Sequence, residues 1–115
     1  MISIGTDIVN IDRIKKLSND TTFLNKIFTD KEIRYCKTYS KSFIHLSGKY
    51  AAKEAVKKAV LSAKLLDNVS MKEIEVLNND DKSPYVIIHN KKHLNCKISI
   101  SHDGKYAIAY ALIEK

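Results

Sequence analysis

Hydrophobic positions change their period along the chain, and each change predicts an element. In the first nine residues Ile2, Ile4, Ile8 and Val9 surround the small Gly5-Thr6, predicting a buried strand that carries one acid, Asp7, near its end. Ile11, Ile14 and Leu17 then recur at helical spacing among Asp12, Arg13, Lys15 and Lys16, predicting a short amphipathic helix with a basic outer face. Thr29-Asp30-Lys31-Glu32 has the form of a capping box, and Phe28 and Ile33 hold the staple positions, so a helix from Thr29 to Tyr39 follows. From Ser42 to Lys64 there is no proline and only Gly48 interrupts an Ala, Lys and Glu-rich run, which predicts the longest helix. At ~100° per residue, Ile44, Gly48, Ala52, Ala55, Val56, Ala59 and Ala63 share a face small enough for close packing. Glu54 and Lys58 project away from it with Phe43, Ser47 and Tyr50.

After Asp67-Asn68 the period falls to two. Ile74 and Val76 alternate with Glu73 and Glu75, residues 78–84 are turn chemistry, and Tyr85 to Ile88 returns as the second arm of a hairpin. Cys96, Ile98 and Ile100 alternate with Lys97, Ser99 and Ser101; Asp103-Gly104 then supplies a hairpin turn before a last strand, Tyr106 to Ile113. A strand, then helices, then antiparallel strands is an α+β arrangement, with residues 1–115 forming a single domain that contains neither repeat nor linker.

Charge adds an asymmetry. The 115 residues carry a formal net charge of +7, and 18 of the 20 cations are lysine, Arg13 and Arg34 being the exceptions. Residues 1–65 hold 13 basic and 6 acidic side chains, whereas residues 66–115 hold 7 of each. A clustered excess of this kind fits an anionic partner: nucleic acid, a membrane surface, a phosphorylated small molecule or an acidic protein. Cys36 and Cys96 lack any paired spacing, the N-terminal residues lack a secretory pattern, and the longest apolar run, Ala107 to Ile113, falls short of the ~20 residues of a membrane span. A cytoplasmic protein with reduced thiols, bound to no membrane, is expected.

Two acids invite a chemical reading. Asp7 ends an apolar strand, and Glu54 lies among cations in Lys53-Glu54-Ala55-Val56-Lys57-Lys58. If the strand end and the long helix are neighbours, the pair is suited to a hard cation that keeps waters and bridges phosphates. The plainer alternatives are an Asp7 that caps the next helix and a Glu54–Lys58 pair on a solvated face. His89, His93 and Cys96 form an H-x3-H-x2-C string without a fourth ligand, which argues against a closed zinc site. His102 follows a strand and precedes a turn, a position favoured by binding residues. There is no glycine-rich phosphate loop, nucleophile elbow or C-x-x-C motif, and the basic segments lack the aromatic interleaving of a single-strand platform. A non-catalytic basic module that binds nucleic acid through residues 1–65 is the alternative class; it sets Asp7 and Glu54 unhelpfully inside the basic half.

Three segments together resemble holo-(acyl-carrier-protein) synthases, the small bacterial type of 4′-phosphopantetheinyl transferase. They are Ile4-Gly5-Thr6-Asp7-Ile8-Val9-Asn10-Ile11-Asp12-Arg13-Ile14, the stretch from Leu46-Ser47-Gly48-Lys49-Tyr50 through Lys53-Glu54 to Ala59, and Ile98-Ser99-Ile100-Ser101-His102. The resemblance runs in order along the chain. It implies magnesium-dependent transfer of 4′-phosphopantetheine from coenzyme A to a serine of apo acyl carrier protein, releasing adenosine 3′,5′-bisphosphate, in support of fatty acid biosynthesis. By the same resemblance Asp7 and Glu54 are the magnesium ligands and Lys58 reaches the same phosphates; the serine proton falls to a metal-held water or to one of the two carboxylates, Glu54 acting through a water being the preferred choice. Lys49, where the family commonly has Arg, and Lys41 upstream are implied for the 3′-phosphate of coenzyme A. His102 matches the family histidine near the nucleotide, and Arg13 matches the arginine that docks the acidic carrier. A homotrimer with sites between subunits is implied, and no nucleic acid partner. The family's core activity could also be lost, leaving a coenzyme A binding protein of the same fold. Two departures stand out: Tyr50 replaces the usual Phe, and Lys82-Ser83-Pro84 replaces Gly, then Lys or Arg, then Pro, so cofactor contacts are not assigned to that turn.

Overall fold

Small residues set the distance between the central helix and the main sheet. In the computed structural model, which describes residues 1–92 and 95–115, strand β1 (Ile2–Asn10) leads into helices α1 (Ile11–Leu17), α2 (Thr21–Ile27), α3 (Asp30–Lys37) and α4 (Ser42–Ser62). Strands β2 (Ile74–Asn78), β3 (Pro84–Ile88), β4 (Lys91–Lys92), β5 (Cys96–Asp103) and β6 (Tyr106–Glu114) follow. They form two three-stranded antiparallel sheets, ordered β1-β6-β5 and β2-β3-β4, so the α+β expectation holds.

Helix α4 lies across the first sheet, and its buried Ala51, Ala52, Ala55, Val56 and Ala59 share one core with Val9, Ala107, Ala109 and Ala111. A Cβ on Gly5 would stand 1.9 Å from the Ala55 carbonyl oxygen, so only glycine allows β1 this near the helix. The strand, expected to be buried, is buried on one face only. Ser3, Gly5 and Val9 face inward, while Ile2, Ile4 and Ile8 are 61%, 53% and 61% exposed. At Gly5 no side chain has room against the helix backbone, and the alternation of the strand sends Ile2, Ile4 and Ile8 to the opposite face. There they adjoin the exposed Tyr106, Ile108 and Tyr110 of β6, which pair with Asn10, Ile8 and Thr6.

Helix α2 was not expected; Asp20 caps it, accepting from the Thr22 and Phe23 amides at 2.9 and 3.4 Å. The capping box of α3 forms as expected, with the Thr29 amide donating to Glu32 Oε1 at 2.9 Å and the Glu32 amide to Thr29 Oγ1 at 3.4 Å. Helix α3 stops at Lys37, because the Thr38 and Tyr39 amides turn back to the carbonyls of Tyr35 and Cys36. Glu32 does more than cap. Its Oε2 accepts from the Val76 amide at 2.8 Å, and the fully buried Lys53 ammonium donates to its Oε1. One carboxylate thus ties α3, α4 and β2 together.

Within the other motif considered for metal, His89 pairs with Glu73 at 3.1 Å and Cys96 is a buried free thiol; His93 lies outside the described residues. Among the described residues no three His, Cys, Asp or Glu side chains gather as a metal cluster, and no helix is long and apolar enough to cross a membrane.

Candidate active site

The contact between Gly5 and Ala55 positions the first chemical centre. Asp7, two residues along β1 and on the same face as Gly5, comes beside the solvent-facing side of α4. The Lys58 ammonium bonds the Thr6 carbonyl at 2.9 Å and Asp7 Oδ1 at 3.4 Å. Glu54 lies one turn before Lys58. The charges of both Glu54 and Asp7 reach the Tyr50 phenol, whose pKa is raised first by burial and then by these two carboxylates. Lys58 and Asp7 are thus in contact, and Glu54 lies one helical turn from Lys58 and near the same Tyr50 phenol as Asp7. The plainer reading of Asp7 as a helix cap does not hold, because Asn10 caps α1 and accepts from the Arg13 amide at 3.2 Å.

Two carboxylates on adjacent elements, with no third acid gathered by them among the described residues, suit a magnesium ion that fills its remaining positions with water and phosphate oxygens. The Lys58 ammonium already stands against Asp7, so the pocket accommodates positive charge. Arg13 borders the same centre, its guanidinium 5.8 Å from the centroid of the Tyr50 ring. Tyr50 stacks on Phe23 at 6.3 Å, which fixes the ring between α2 and α4. Ser47, expected on the outward side with Tyr50, is instead fully buried and donates to the Phe43 carbonyl at 2.6 Å.

A second centre is a cleft of about 380 Å³ between the end of α3, the start of α4, the β2–β3 turn and β5. Ile44, Ile98, Ile100 and Pro84 supply apolar walls, and His45, Lys49, Lys82 and His102 supply cationic or titratable ones, with no acid in the lining among the described residues. Tyr39 stacks on His45 at 3.7 Å and meets Tyr35 edge-on, their hydroxyls 3.1 Å apart. Burial, followed by the charges of His102, Lys49 and Lys82, lowers the His45 pKa.

Lys49 and His102 thus share the cleft, whereas Lys41 is exposed at the N-cap of α4 and outside the lining. Lys49 is also engaged already. It is 3% exposed, and its ammonium donates to the Val76 carbonyl at 2.6 Å and to Asn78 Oδ1 at 2.7 Å. Burial lowers its pKa. His45 and Lys82 were not singled out as ligands from sequence; His45 carried no motif, and Lys82 stood in a turn that departs from the family pattern.

The two centres occupy different sides of α4. Glu54 lies ~120–180° around the helix from His45, Gly48 and Lys49. Different neighbours border them as well: β1 and α1 at the carboxylates, α3, β5 and the β2–β3 turn at the cleft.

Residues 3–111 match the family model described as the 4′-phosphopantetheinyl transferase superfamily. The chain is 45% identical over 114 residues to a holo-(acyl-carrier-protein) synthase of Thermodesulfovibrio yellowstonii, covering 96% of each chain. It is 44% identical over 119 residues to one of Clostridium botulinum, covering 96% of this chain and 95% of the relative. Among solved structures it resembles the Chronobacterium ammoniagenes ACPS–CoA complex with a TM-score of 0.81 at 29% identity, over 100% of this chain and 99% of that one. It resembles a Bacillus anthracis holo-(acyl-carrier-protein) synthase in complex with CoA (3′,5′-ADP) with a TM-score of 0.77 at 31% identity, over 96% and 94%.

Proposed function

Since the chain belongs to the 4′-phosphopantetheinyl transferase superfamily and is an enzyme of the holo-(acyl-carrier-protein) synthase type, we propose that it transfers 4′-phosphopantetheine from coenzyme A to a serine of apo acyl carrier protein. The contact of Lys58 with Asp7 beside the Gly5–Ala55 approach, with the charges of Glu54 and Asp7 both reaching Tyr50, is the observation that carries this reading. The serine oxygen bonds to the phosphorus that bears the pantetheine arm. The bridging P–O bond breaks, and its electron pair leaves with adenosine 3′,5′-bisphosphate. The nucleophile comes from the partner, which accounts for an active centre built from carboxylates and cations.

Asp7 and Glu54 would hold a magnesium ion, and when bound it would supply charge neutralisation to the phosphates. The exposed Lys58 ammonium, beside Asp7, reaches the leaving phosphate and stabilises its charge. Glu54 receives the serine proton through a water. Arg13, with Lys15 and Lys16 on the same exposed helix, offers cations beside the centre to an acidic carrier. The cleft takes the nucleotide half: its isoleucines suit the adenine, and Lys49 and His102, with Lys41 at its approach, provide a positive field for the 3′-phosphate. The reaction serves fatty acid synthesis in the cytoplasm.

One ribose carries both the pyrophosphate and the 3′-phosphate of coenzyme A, so both centres must reach a single ligand. Their separation around α4 supports a site completed by a second copy, the cleft of one protomer facing the carboxylates of the next. The apolar outer face of β1 and β6, with Ile2, Ile4, Ile8, Ile108 and Tyr110, supports a homotrimer as the assembly.

Incubation with apo acyl carrier protein, coenzyme A and magnesium is expected to add one phosphopantetheine mass to the carrier, with Glu54→Gln abolishing the gain in a variant that keeps the wild-type circular dichroism. No mass gain on apo carriers from several bacteria would defeat the proposal.

A further inference from the structure

Lys82 takes a backbone conformation that lysine avoids. Its φ is +72°, in the left-handed region, which costs a non-glycine residue ~1 kcal/mol. The turn enforces this. The Lys82 amide donates to the Asn79 carbonyl at 2.8 Å, the Asn79 amide donates to the Ser83 carbonyl at 2.9 Å, and Asn78 Nδ2 donates to the Lys82 carbonyl at 2.9 Å. Strain held in this way directs the side chain over the cleft, where the ammonium lies 5.8 Å from the Tyr39 ring centroid with no carboxylate partner among the described residues.

Lys49 is arranged in the opposite sense. Val76 and Asn78 take two of its three N–H donors, and the Tyr35 ring covers the ammonium at 4.7 Å. The same Asn78 amide that accepts from Lys49 donates to Lys82, so a continuous chain of hydrogen bonds runs from α4 through Asn78 to the turn. A buried, doubly bonded ammonium is built to hold a loop; an unpaired one over an open cleft is built to meet an anion.

We propose that Lys82 is the cation that binds the ribose 3′-phosphate in the nucleotide cleft, and that Lys49 is a positioning residue that sets the turn carrying it. This rests on the reading of the cleft as the coenzyme A nucleotide site. With the pyrophosphate assigned to the carboxylate centre, the 3′-phosphomonoester is the remaining dianion, and the cleft contains no acid among the described residues to oppose it. His45 and His102 line the same space, and the stack of Tyr39 on His45 fixes the ring over which Lys82 lies.

The test compares coenzyme A with 3′-dephospho-coenzyme A as donors in carrier modification. In the wild type the ratio of their kcat/KM values favours coenzyme A. Lys82→Gly is expected to lower that ratio at least tenfold, Lys82→Arg to retain most of it, and Lys49→Met to lower it with little added loss in the Lys49→Met/Lys82→Gly double variant. Glycine takes a positive φ without strain, so Lys82→Gly keeps or raises the thermal midpoint and its loss of discrimination is not a loss of fold. An unchanged ratio in Lys82→Gly, or losses in the two single variants that simply multiply in the double, would overturn the assignment while leaving the reaction itself intact. A wild-type enzyme that modifies the carrier with neither donor would overturn the function reading and this inference together.

Discussion

Replacing Gly5 by alanine probes the close approach that supports the carboxylate centre. The new Cβ would lie 1.9 Å from the Ala55 carbonyl oxygen and 3.0 Å from the Ala59 amide nitrogen, whereas ordinary contact begins at 3.4 Å. Both partners are backbone atoms of a helix, so no side-chain rotation relieves the clash, and β1 must retreat from α4 by about 1.5 Å. Overpacking of this kind costs ~1–3 kcal/mol. For a domain of this size that lowers the thermal midpoint by roughly 4–12 °C. Asp7 moves with the strand while Glu54 and Lys58 stay on the helix, and a misplacement of ~1 Å in a catalytic constellation costs ~100-fold in rate. The expected result is therefore a protein still folded at 20 °C whose initial rate of carrier modification is near 1% of wild type. Gly104→Ala is the control. Unlike Gly5, Gly104 has a positive φ, +57°, and a side chain there enters open space, so the substitution should lower stability by ~1 kcal/mol with less than a tenfold effect on rate. A Gly5→Ala protein with wild-type midpoint and turnover would refute the reasoning that strand–helix spacing sets the site.

Lys53→Met leaves the Glu32 carboxylate buried without its cation, and urea unfolding should register a loss of ~3–5 kcal/mol that Lys53→Met/Glu32→Gln partly restores; a single-variant loss below ~1 kcal/mol would count against a stabilising pair. Arg13→Glu should raise KM for the acidic carrier at least tenfold with little change for coenzyme A, and the reverse pattern would remove Arg13 from the docking role. Ile8→Lys/Ile108→Lys places charge on the exposed apolar face and should convert an oligomer to monomers by light scattering, with loss of turnover; an unaltered mass would dissociate that face from assembly. Burial pushes the Cys36 thiol from 9.0 up to about 12, so the folded chain holds this proton more tightly than the unfolded one. That contribution to stability is complete below pH 9 and is lost as pH rises towards 12. Unfolding free energies measured from pH 8 to pH 11 should consequently fall more steeply for wild type than for Cys36→Ala, and parallel profiles would contradict the shift.

Much of this arrangement is legible in periodicity. The small face of α4 between Gly48 and Ala63 announces close packing, and the Thr29–Glu32 box announces the start of α3. The same information does not say which face of β1 turns inward, because alternation defines two faces and packing chooses between them. Here the helix backbone at Ala55 excludes everything larger than Gly5, and the isoleucines, which look like core, go to the outside. Helix α2 is as short as α1, and its signal, the Asp20 cap ahead of Phe23, Leu24 and Ile27 at helical spacing, is present in the sequence. The nearness of Asp7 to Lys58 and Glu54 is legible only once strand and helix are known to touch. The cleft is less legible still, since its walls come from four elements and the engagement of Lys49 is decided by carbonyl and amide groups 27 and 29 positions away.

The two departures from the family pattern in this cleft have a common explanation on the proposed assignment. An arginine at position 49 presents five N–H donors in a planar fork, enough to hold the hairpin and still face a phosphate. A lysine presents three, and the Val76 carbonyl and Asn78 amide take two of them. The remaining donor lies on the side covered by the Tyr35 ring, so phosphate recognition needs a cation from elsewhere. Lysine in place of glycine at position 82 supplies one at the cost of a strained φ. The strain is then a consequence of dividing one arginine's work between two lysines, and it predicts that Lys49→Arg restores donor discrimination to Lys82→Gly. Measured with coenzyme A and its 3′-dephospho form, recovery of the kcat/KM ratio in that double variant is the expected result, and no recovery would separate the two departures.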